Sequence, residues 1–309
     1  MFTIFKVYDI IQSAGYGDRK KFKALLYEEV MKKPKVSIII LNWNGLEDTI
    51  ECLNSIKKIT YPNYEVIVVD NGSSGNDVQV LRKKFGSYIK IIKNKKNEGF
   101  AEGNNIAIRR VMKENKSKYV LLLNNDTVVD KKFLDELVKV AESDDKIGIV
   151  GPVIRNYYTK EIDFAGGKIN WWLGRPYHLK KIDPREYTDF ITGCCMLIPI
   201  EKLKKVGLFD KMYFTYFEDS DLCERIKKLG FKLKIIEKSK LIHKVSKSTG
   251  KKGLYNYYFA RNRITFNEKY NSGARLYFFL FFQRYIKRFF AKLLLEKEDY
   301  KMWRKGLSK

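Results

Sequence analysis

The sequence predicts an α/β protein: a mostly parallel sheet with helices on both faces, followed by a helical C-terminal extension. Three observations predict it. Short runs with no polar face recur, such as VSIIIL at 36–41 and YVLLL at 119–123. Segments with helix-spaced apolar residues separate these runs. Clusters of amides and acids follow several of them. Strands that are apolar on both sides belong in a sheet covered on both faces, and alternation with helices makes that sheet parallel.

The elements follow in order. Residues 1–34 form a basic leader that ends at Pro34 and carries no legible chemistry. The first strand is 36–41, and Leu46, Ile50, Leu53 and Ile56 then recur at helical spacing. EVIVV at 65–69 is a second strand, ended by DNGSSG. A short helix over 78–85 precedes a third strand at 89–92. A helix is expected over 104–112, the fourth strand over 119–123, a helix marked by Phe133, Leu137, Val140 and Ala141, and a strand over 147–150. Past residue 150 the rhythm loosens into a Gly- and aromatic-rich stretch that reads as an irregular excursion over the sheet. FITGCCMLIPI at 190–200 restores a strand. Within YFEDSDLCERIKKLG, Asp221 and Glu224 have the spacing of a capping box, Leu222, Ile226 and Leu229 form an apolar stripe, and Gly230 ends the helix.

Composition narrows the possible partners. Sixty-one Lys and Arg against thirty-six Asp and Glu give 309 residues a net charge of +25. Such a surface attracts anions, whether nucleic acid, acidic lipid headgroups or phosphorylated substrates. Hydrophobic residues make up 45% of the chain, which supports a core and excludes a disordered protein. Cys52, Cys194, Cys195 and Cys223 form no CxxC pair, so buried thiols are expected rather than a zinc site or disulfides. The N-terminus lacks the apolar core of a signal peptide, and no uncharged apolar stretch reaches about 18 residues.

In parallel sheets, ligands bind beyond the carboxyl ends of the strands. Polar clusters fall at three such ends: Asn42-Trp43-Asn44, Asp70-Asn71-Gly72-Ser73 and Asn124-Asn125-Asp126. Turn chemistry alone does not require that much, so a binding crevice is expected there. Glu218 and Asp219 stand just before the expected helix and have no role in it. A carboxylate there, at the positive end of a helix dipole, stays ionised and can accept a proton from a bound hydroxyl. His243 could meet Asp126 in the crevice and form a Mn²⁺ or Mg²⁺ site with substrate oxygens. NEGFAEGNN at 97–105 is a Gly-rich loop before a helix, suited to a phosphate or sugar.

In the order VSIIILNWNG, EVIVVDNGSSGND, NEGFAEGNN, YVLLLNNDTVV, ITGCCMLI, GLFDKMYFTYFEDSDLCERIKKLG and the downstream His243, these stretches resemble glycosyltransferase family 2. They are most similar to its rhamnosyltransferase-like branch, over about residues 35–245. The resemblance implies a GT-A fold and an inverting transfer from a nucleotide-diphosphate sugar. It implies that Leu41, Trp43, Asp70 and Asn71 hold the base and ribose. Asn97, Gly99, Asn104, Asn124, Asn125 and Gly193 are implied to line the donor site. It further implies that Asp126 and His243 bind the divalent cation, and that Asp219, with Glu218 beside it, is the catalytic base. Two asparagines stand where many members carry aspartates.

The acceptor implied by the resemblance is a lipid-linked or surface glycan. The tail ARLYFFLFFQRYIKRFFAKLLLEKE interleaves aromatics and leucines with Arg and Lys, as an interfacial helix does. Residues 246–309 are therefore expected to associate with an anionic membrane surface, placing the protein peripherally at the cytoplasmic face of the cell membrane. A helix packed on the catalytic domain or on a partner is the alternative. A sugar-nucleotide-binding subunit without catalysis remains a second reading. Nucleic acid is not expected as a partner, since it leaves the strand-end clusters without a purpose. A homo-oligomer is compatible with the sequence.

Overall fold

The computed structural model describes residues 32–182, 188–244, 252–287 and 297–307. Its centre is a curled sheet. Strand β1 (Val36–Asn42) pairs in parallel with β2 (Tyr64–Asp70), and β2 with β3 (Ile89–Lys93). On its other side β1 pairs in parallel with β4 (Tyr119–Asn124). These strands are apolar on both faces because helices cover both. Ile38, Ile39, Ile40, Val68 and Leu121 are completely buried, and each such side chain contributes about 1.5–3 kcal/mol of hydrophobic stabilisation.

Three helices match the expected register: α1 (Leu46–Ile56), α2 (Asp77–Phe85) and α4 (Phe133–Ala141). The helix between them, α3 (Gly99–Glu114), begins five residues before its expected start. Its first turn is the Gly-rich loop itself, whose small residues carry little periodic signal.

Beyond β4 the sheet changes character. β5 (Thr127–Val129) follows β4 after a two-residue turn, and β6 (Ile147–Asn156) runs well past its expected end. The supposed irregular excursion contains three strands: β7 (Ile162–Phe164), β8 (Gly167–Asn170) and β9 (Arg175–His178). β7 pairs with β6, whereas β8 and β9 form a separate hairpin. β10 (Cys195–Pro199) runs antiparallel between β4 and β6. A long strand unread in the sequence, β11 (Lys232–His243), pairs in parallel with β6 and antiparallel with β5. The order is β3-β2-β1-β4-β10-β6-β11-β5. β4 and β5 are thus neighbours in sequence yet lie four positions apart in the sheet, which must curl to close that gap.

Helix α5 (Ile200–Val206) leads toward α6 (Glu218–Lys228). C-terminal to the sheet come α7 (Lys252–Tyr270), α8 (Gly273–Phe281) with a π turn over 282–287, and α9 (Lys297–Leu307). The domain boundary expected near residue 245 is not a packing boundary, because Phe266 of α7 is fully buried in the main core. α9 lies on α7, where Trp303 packs on Ala260 and a Cβ at Gly306 would stand 2.5 Å from the Tyr257 carbonyl oxygen. The leader through residue 31 and the tail over 288–296 lie outside the described residues.

Candidate active site

Strand register assembles the site. Asn42 stands beside Asp70, and Leu41 beside Asn124, so the carboxyl ends of β1, β2 and β4 form one edge. At that edge Asn42 is buried and binds four side chains: its Nδ2 donates to Asp77 Oδ2 at 2.9 Å, to Asp70 Oδ1 at 3.2 Å and to Ser73 Oγ at 3.3 Å, and its Oδ1 accepts from Thr49 Oγ1 at 2.9 Å. The other carboxylate oxygen of Asp70, Oδ2, is buried without a hydrogen-bond partner among the described residues. A buried acceptor left open costs about 1–3 kcal/mol, so it marks a place for a ligand hydroxyl or amide. Trp43, next along the chain, is exposed.

Two expected donor contacts are occupied inside the protein. Asn71 donates to Asn97 Oδ1 at 3.0 Å and to the Gly99 carbonyl at 3.1 Å, and accepts from Asn94 Nδ2 at 2.9 Å and the Glu98 amide at 3.1 Å. That saturates its side chain, which therefore ties the end of β2 to the loop before α3. Asn125 donates to Thr49 Oγ1 at 3.0 Å and to the Gly45 carbonyl at 3.3 Å, buttressing the β1–α1 turn. Both residues shape the crevice from behind. Asn104 donates to the Phe100 carbonyl one turn back, at 2.9 Å. Leu41 is partly buried, and its Cδ1 would lie 2.7 Å from a Cβ at Gly103.

Asp126 and His243 do meet, and the topology shows why. β5 starts immediately after Asp126 and pairs with the end of β11, which sets His243 opposite Thr127. His243 Nε2 then lies 3.1 Å from Asp126 Oδ1. Burial opposes charge on the imidazole, but Cys194 and Asp126 beside it outweigh burial and raise its pKa from 6.5 to about 11. A carboxylate oxygen and an imidazole nitrogen at this separation fit a divalent cation of the Mn²⁺ kind, which would displace the imidazole proton on binding. No group of three or more His, Cys, Asp and Glu suited to a metal occurs among the described residues. Two protein ligands fit a cation whose remaining positions are filled by substrate oxygens.

Asp219 sits in the first turn of α6, which begins at Glu218 rather than at the expected capping box. Its Oδ2 accepts from the Gly193 amide at 2.9 Å, and its Oδ1 from the Ser220 amide at 2.6 Å. Burial raises its pKa against the lowering effect of those donors. Glu218 is buried, and its Oε2 has no hydrogen-bond partner among the described residues. Burial first, then the carboxyls of Asp219 and Asp221, push its pKa well above the usual range. This environment favours the neutral form of Glu218 beside Asp219.

The turn before α6 is strained. Tyr216 and Phe217 both adopt left-handed φ, at 69° and 73°, a region that costs a non-glycine residue about 1–3 kcal/mol. Asn262 of α7 holds it, donating to the Thr215 carbonyl at 2.7 Å and the Tyr216 carbonyl at 2.9 Å. On the other side the Phe100 amide donates to the Phe214 carbonyl at 2.7 Å. Gly99 makes this approach possible: it has φ +81°, and a Cβ there would stand 2.4 Å from that carbonyl oxygen. Asp221 is not a cap. It is fully buried and binds Arg225, Lys269 and Tyr270, joining α6 to α7.

The loop 191–194 unites the parts. The Gly193 amide binds Asp219, the Cys194 carbonyl accepts from the Asn124 amide at 2.9 Å, and the Cys194 thiol lies against His243. The stretch ITGCC read as a strand, with Gly193 at the donor through the family resemblance; its link to Asp219 and His243 was not legible. Asn262 lies on a helix of the expected C-terminal extension but had no signal of its own, and His178 of β9 lies within electrostatic reach of Asp219. All four cysteines are buried and free.

Comparison with known proteins gives a consistent result. The family model described as glycosyl transferase family 2 matches residues 37–207. A low-salt glycan biosynthesis hexosyltransferase of Haloferax volcanii is 27% identical over 203 residues, covering 62% of this chain and 62% of that protein. An N-acetylglucosaminyl-diphospho-decaprenol L-rhamnosyltransferase of Mycobacterium tuberculosis is 24% identical, covering 64% of this chain and 72% of its own length. The chain thus spans about three fifths to three quarters of the length of these relatives. Among solved structures, a mannosyltransferase from Pyrobaculum calidifontis in complex with GDP-Man and Mn²⁺ superposes with a TM-score of 0.59 at 16% identity, covering 92% of this chain and 87% of that one. GalNAc-T7 with UDP, GalNAc and Mn²⁺ gives a TM-score of 0.59 at 17% identity, covering 85% of this chain and 58% of the other. These likenesses identify the GT-A fold.

Proposed function

Because this chain belongs to glycosyl transferase family 2, we propose that it moves a sugar from a nucleotide-diphosphate donor to a hydroxyl of a lipid-linked or surface glycan, with inversion at the anomeric carbon. The observation that carries this reading is the Gly193–Cys194 step. Through it the Asp219 carboxylate and the Asp126–His243 pair are fixed to one loop, at the edge where β1, β2 and β4 end.

In this reading Trp43 offers an exposed indole face to the base, and the open oxygen of Asp70 accepts a hydrogen bond from base or ribose. Asn97, Gly99 and Asn104 lie along the donor, with Asn124 and Gly193 facing the sugar. Asn71 and Asn125 position this lining through their protein hydrogen bonds. Asp126 and His243 would hold a Mn²⁺ or Mg²⁺ ion, which supplies charge compensation for the leaving diphosphate when bound. Asp219 takes the proton of the acceptor hydroxyl as that oxygen attacks the anomeric carbon. Its raised pKa makes it a better proton acceptor than an exposed aspartate. Burial of Glu218 favours its neutral form, which limits the charge beside the base. The name of the mycobacterial relative supports a lipid-linked acceptor, and dTDP-rhamnose or a UDP-sugar is the proposed donor.

Replacing Asp219 with Asn tests the assignment. Transfer should fall at least about a thousandfold while nucleotide binding is retained. Turnover within a few-fold of the unaltered protein would remove Asp219 from the mechanism.

A further inference from the structure

We infer that this protein docks on an anionic bilayer through a composite surface, formed by the tip of the β8–β9 hairpin together with α8 and its π turn. The inference rests on the reading of a glycosyltransferase with a membrane-borne acceptor. It adds that part of the docking surface belongs to the catalytic domain.

α8 and the π turn bury Phe279 and Gln283 against the protein. Their other side is aromatic and open: Tyr277 is 77% exposed, Phe281 55% and Tyr285 60%, with Phe278 beside them. The spacing 277, 281, 285 keeps these rings on one helical face. The hairpin tip extends it. Trp172 is 53% exposed, and its ring meets Phe278 edge-on with centroids 5.7 Å apart. Leu173 is exposed next to it.

The tip is held firmly. Trp171 turns inward and stacks on Phe266 at 5.8 Å. Arg263 Nε and Asn267 Nδ2 donate to the Gly174 carbonyl at 3.1 and 3.0 Å, and Asn271 donates to the Trp171 carbonyl at 2.7 Å. Arg263 also reaches the Leu173 carbonyl. Two adjacent tryptophans thus take opposite directions, one into the core and one out to solvent.

A soluble surface rarely exposes a contiguous aromatic patch of this kind without a partner. Its chemistry selects a membrane interface. Trp and Tyr, with an apolar body and a polar tip, sit at headgroup level. Arg275 and Arg284 are exposed on the same segment. No Asp or Glu occurs between Glu268 and Glu296, an interval that holds Arg275, Arg284, Lys287, Arg288 and Lys292 besides the Lys269 paired with Asp221. Such a charge pattern attracts anionic headgroups and would repel no part of them. No helix among the described residues is long and apolar enough to cross a membrane. α7 carries both the tip contacts and Asn262, which holds the turn before Asp219. The bilayer plane and the catalytic carboxylate are therefore rigidly related, and an acceptor headgroup would meet the base at a fixed height.

The test uses the full chain, vesicles of phosphatidylglycerol with phosphatidylcholine, and vesicles of phosphatidylcholine alone. The unaltered protein should sediment with the anionic vesicles and release as salt rises. Trp172→Ser with Leu173→Ser, and separately Tyr277→Ser with Phe281→Ser, should each weaken partition about tenfold, with the thermal shift given by UDP or dTDP unchanged. If the helix pair loses binding and the tip pair does not, the composite surface is overturned while membrane attachment stands. Absence of binding by the unaltered protein overturns it, and so does a concentration-dependent dimer abolished by the tip pair. Vesicle binding as expected without any nucleotide shift would uphold the docking surface and fail the glycosyltransferase reading instead.

Discussion

Of the acids clustered at the start of α6, Asp221 is assigned to structure alone, and replacing it with Ala tests that division. Its side chain is fully buried, with Oδ2 accepting from Arg225 Nε at 2.9 Å and Oδ1 from Lys269 Nζ at 2.6 Å and Tyr270 Oη at 2.8 Å. Removing one partner of a fully buried ion pair costs about 3–5 kcal/mol, because the remaining charge is stranded. Here neither cation is left wholly stranded. Arg225 keeps the carbonyls of Val206 and Leu208, each at 2.7 Å, and the Lys269 side chain is 38% exposed and can rehydrate. The expected loss is therefore about 2–3 kcal/mol, or roughly 3–5 °C in Tm for a chain of this size. Thermal and urea unfolding of Asp221→Ala beside Asp219→Ala would measure it. Asp219→Ala should cost less than about 1 kcal/mol, since it removes a carboxyl that burial already disfavours. Equal losses in the two variants, or an Asp221→Ala loss below about 0.5 kcal/mol, would refute the division of roles.

Two further outcomes follow from the same contacts. Burial works against the charge on Glu65, but the Lys90 ammonium, the Ser37 hydroxyl and Lys35 lower its pKa from 4.5 to about 2. A lowered folded pKa contributes stability that is complete above about pH 4.5 and fades as pH falls through about 2. Glu65→Gln should thus cost about 2 kcal/mol at pH 7, and urea unfolding should show that difference shrinking between pH 4.5 and 2. Asn262→Ala frees the left-handed turn at Tyr216–Phe217, and steady-state kinetics should show kcat falling about tenfold or more with donor KM little changed. An unchanged kcat would mean that the turn keeps its geometry without Asn262.

The first half of the sheet was legible because β1, β2 and β4 are apolar on both faces, and only a doubly covered sheet accommodates that. The strand-end clusters were legible for the same reason: Asp70 and Asp126 have no apolar surface to join. What the sequence hid depends on partners distant along the chain. β11 exposes and buries residues in no fixed period because it touches β6 on one edge and β5 on the other across a bulge. The antiparallel direction of β10 leaves no mark in its composition. Asn71 read as a ligand contact since an amide at a strand end suits either use, and only its saturated hydrogen bonds reveal its internal role. The start of α6 was misplaced because Asp221 and Glu224 mimic a capping box, while the actual start depends on strain imposed by α3 and α7. Family order paired Asp126 with His243. The register of β5 on β11 is the physical cause, and no local pattern reveals it.

The proposed mechanism depends on a nucleotide-diphosphate site completed by a divalent cation at Asp126 and His243. Thermal unfolding with UDP, dTDP, GDP and ADP, each with and without Mn²⁺, tests it most directly, run on the unaltered chain and on Asp126→Ala. At about 100 times the dissociation constant a bound nucleotide adds roughly 2.7 kcal/mol of stability. That shift is expected for dTDP or UDP with Mn²⁺ present, reduced without the metal and lost in Asp126→Ala. A folded protein that none of the four nucleotides stabilises, with or without Mn²⁺, would contradict it.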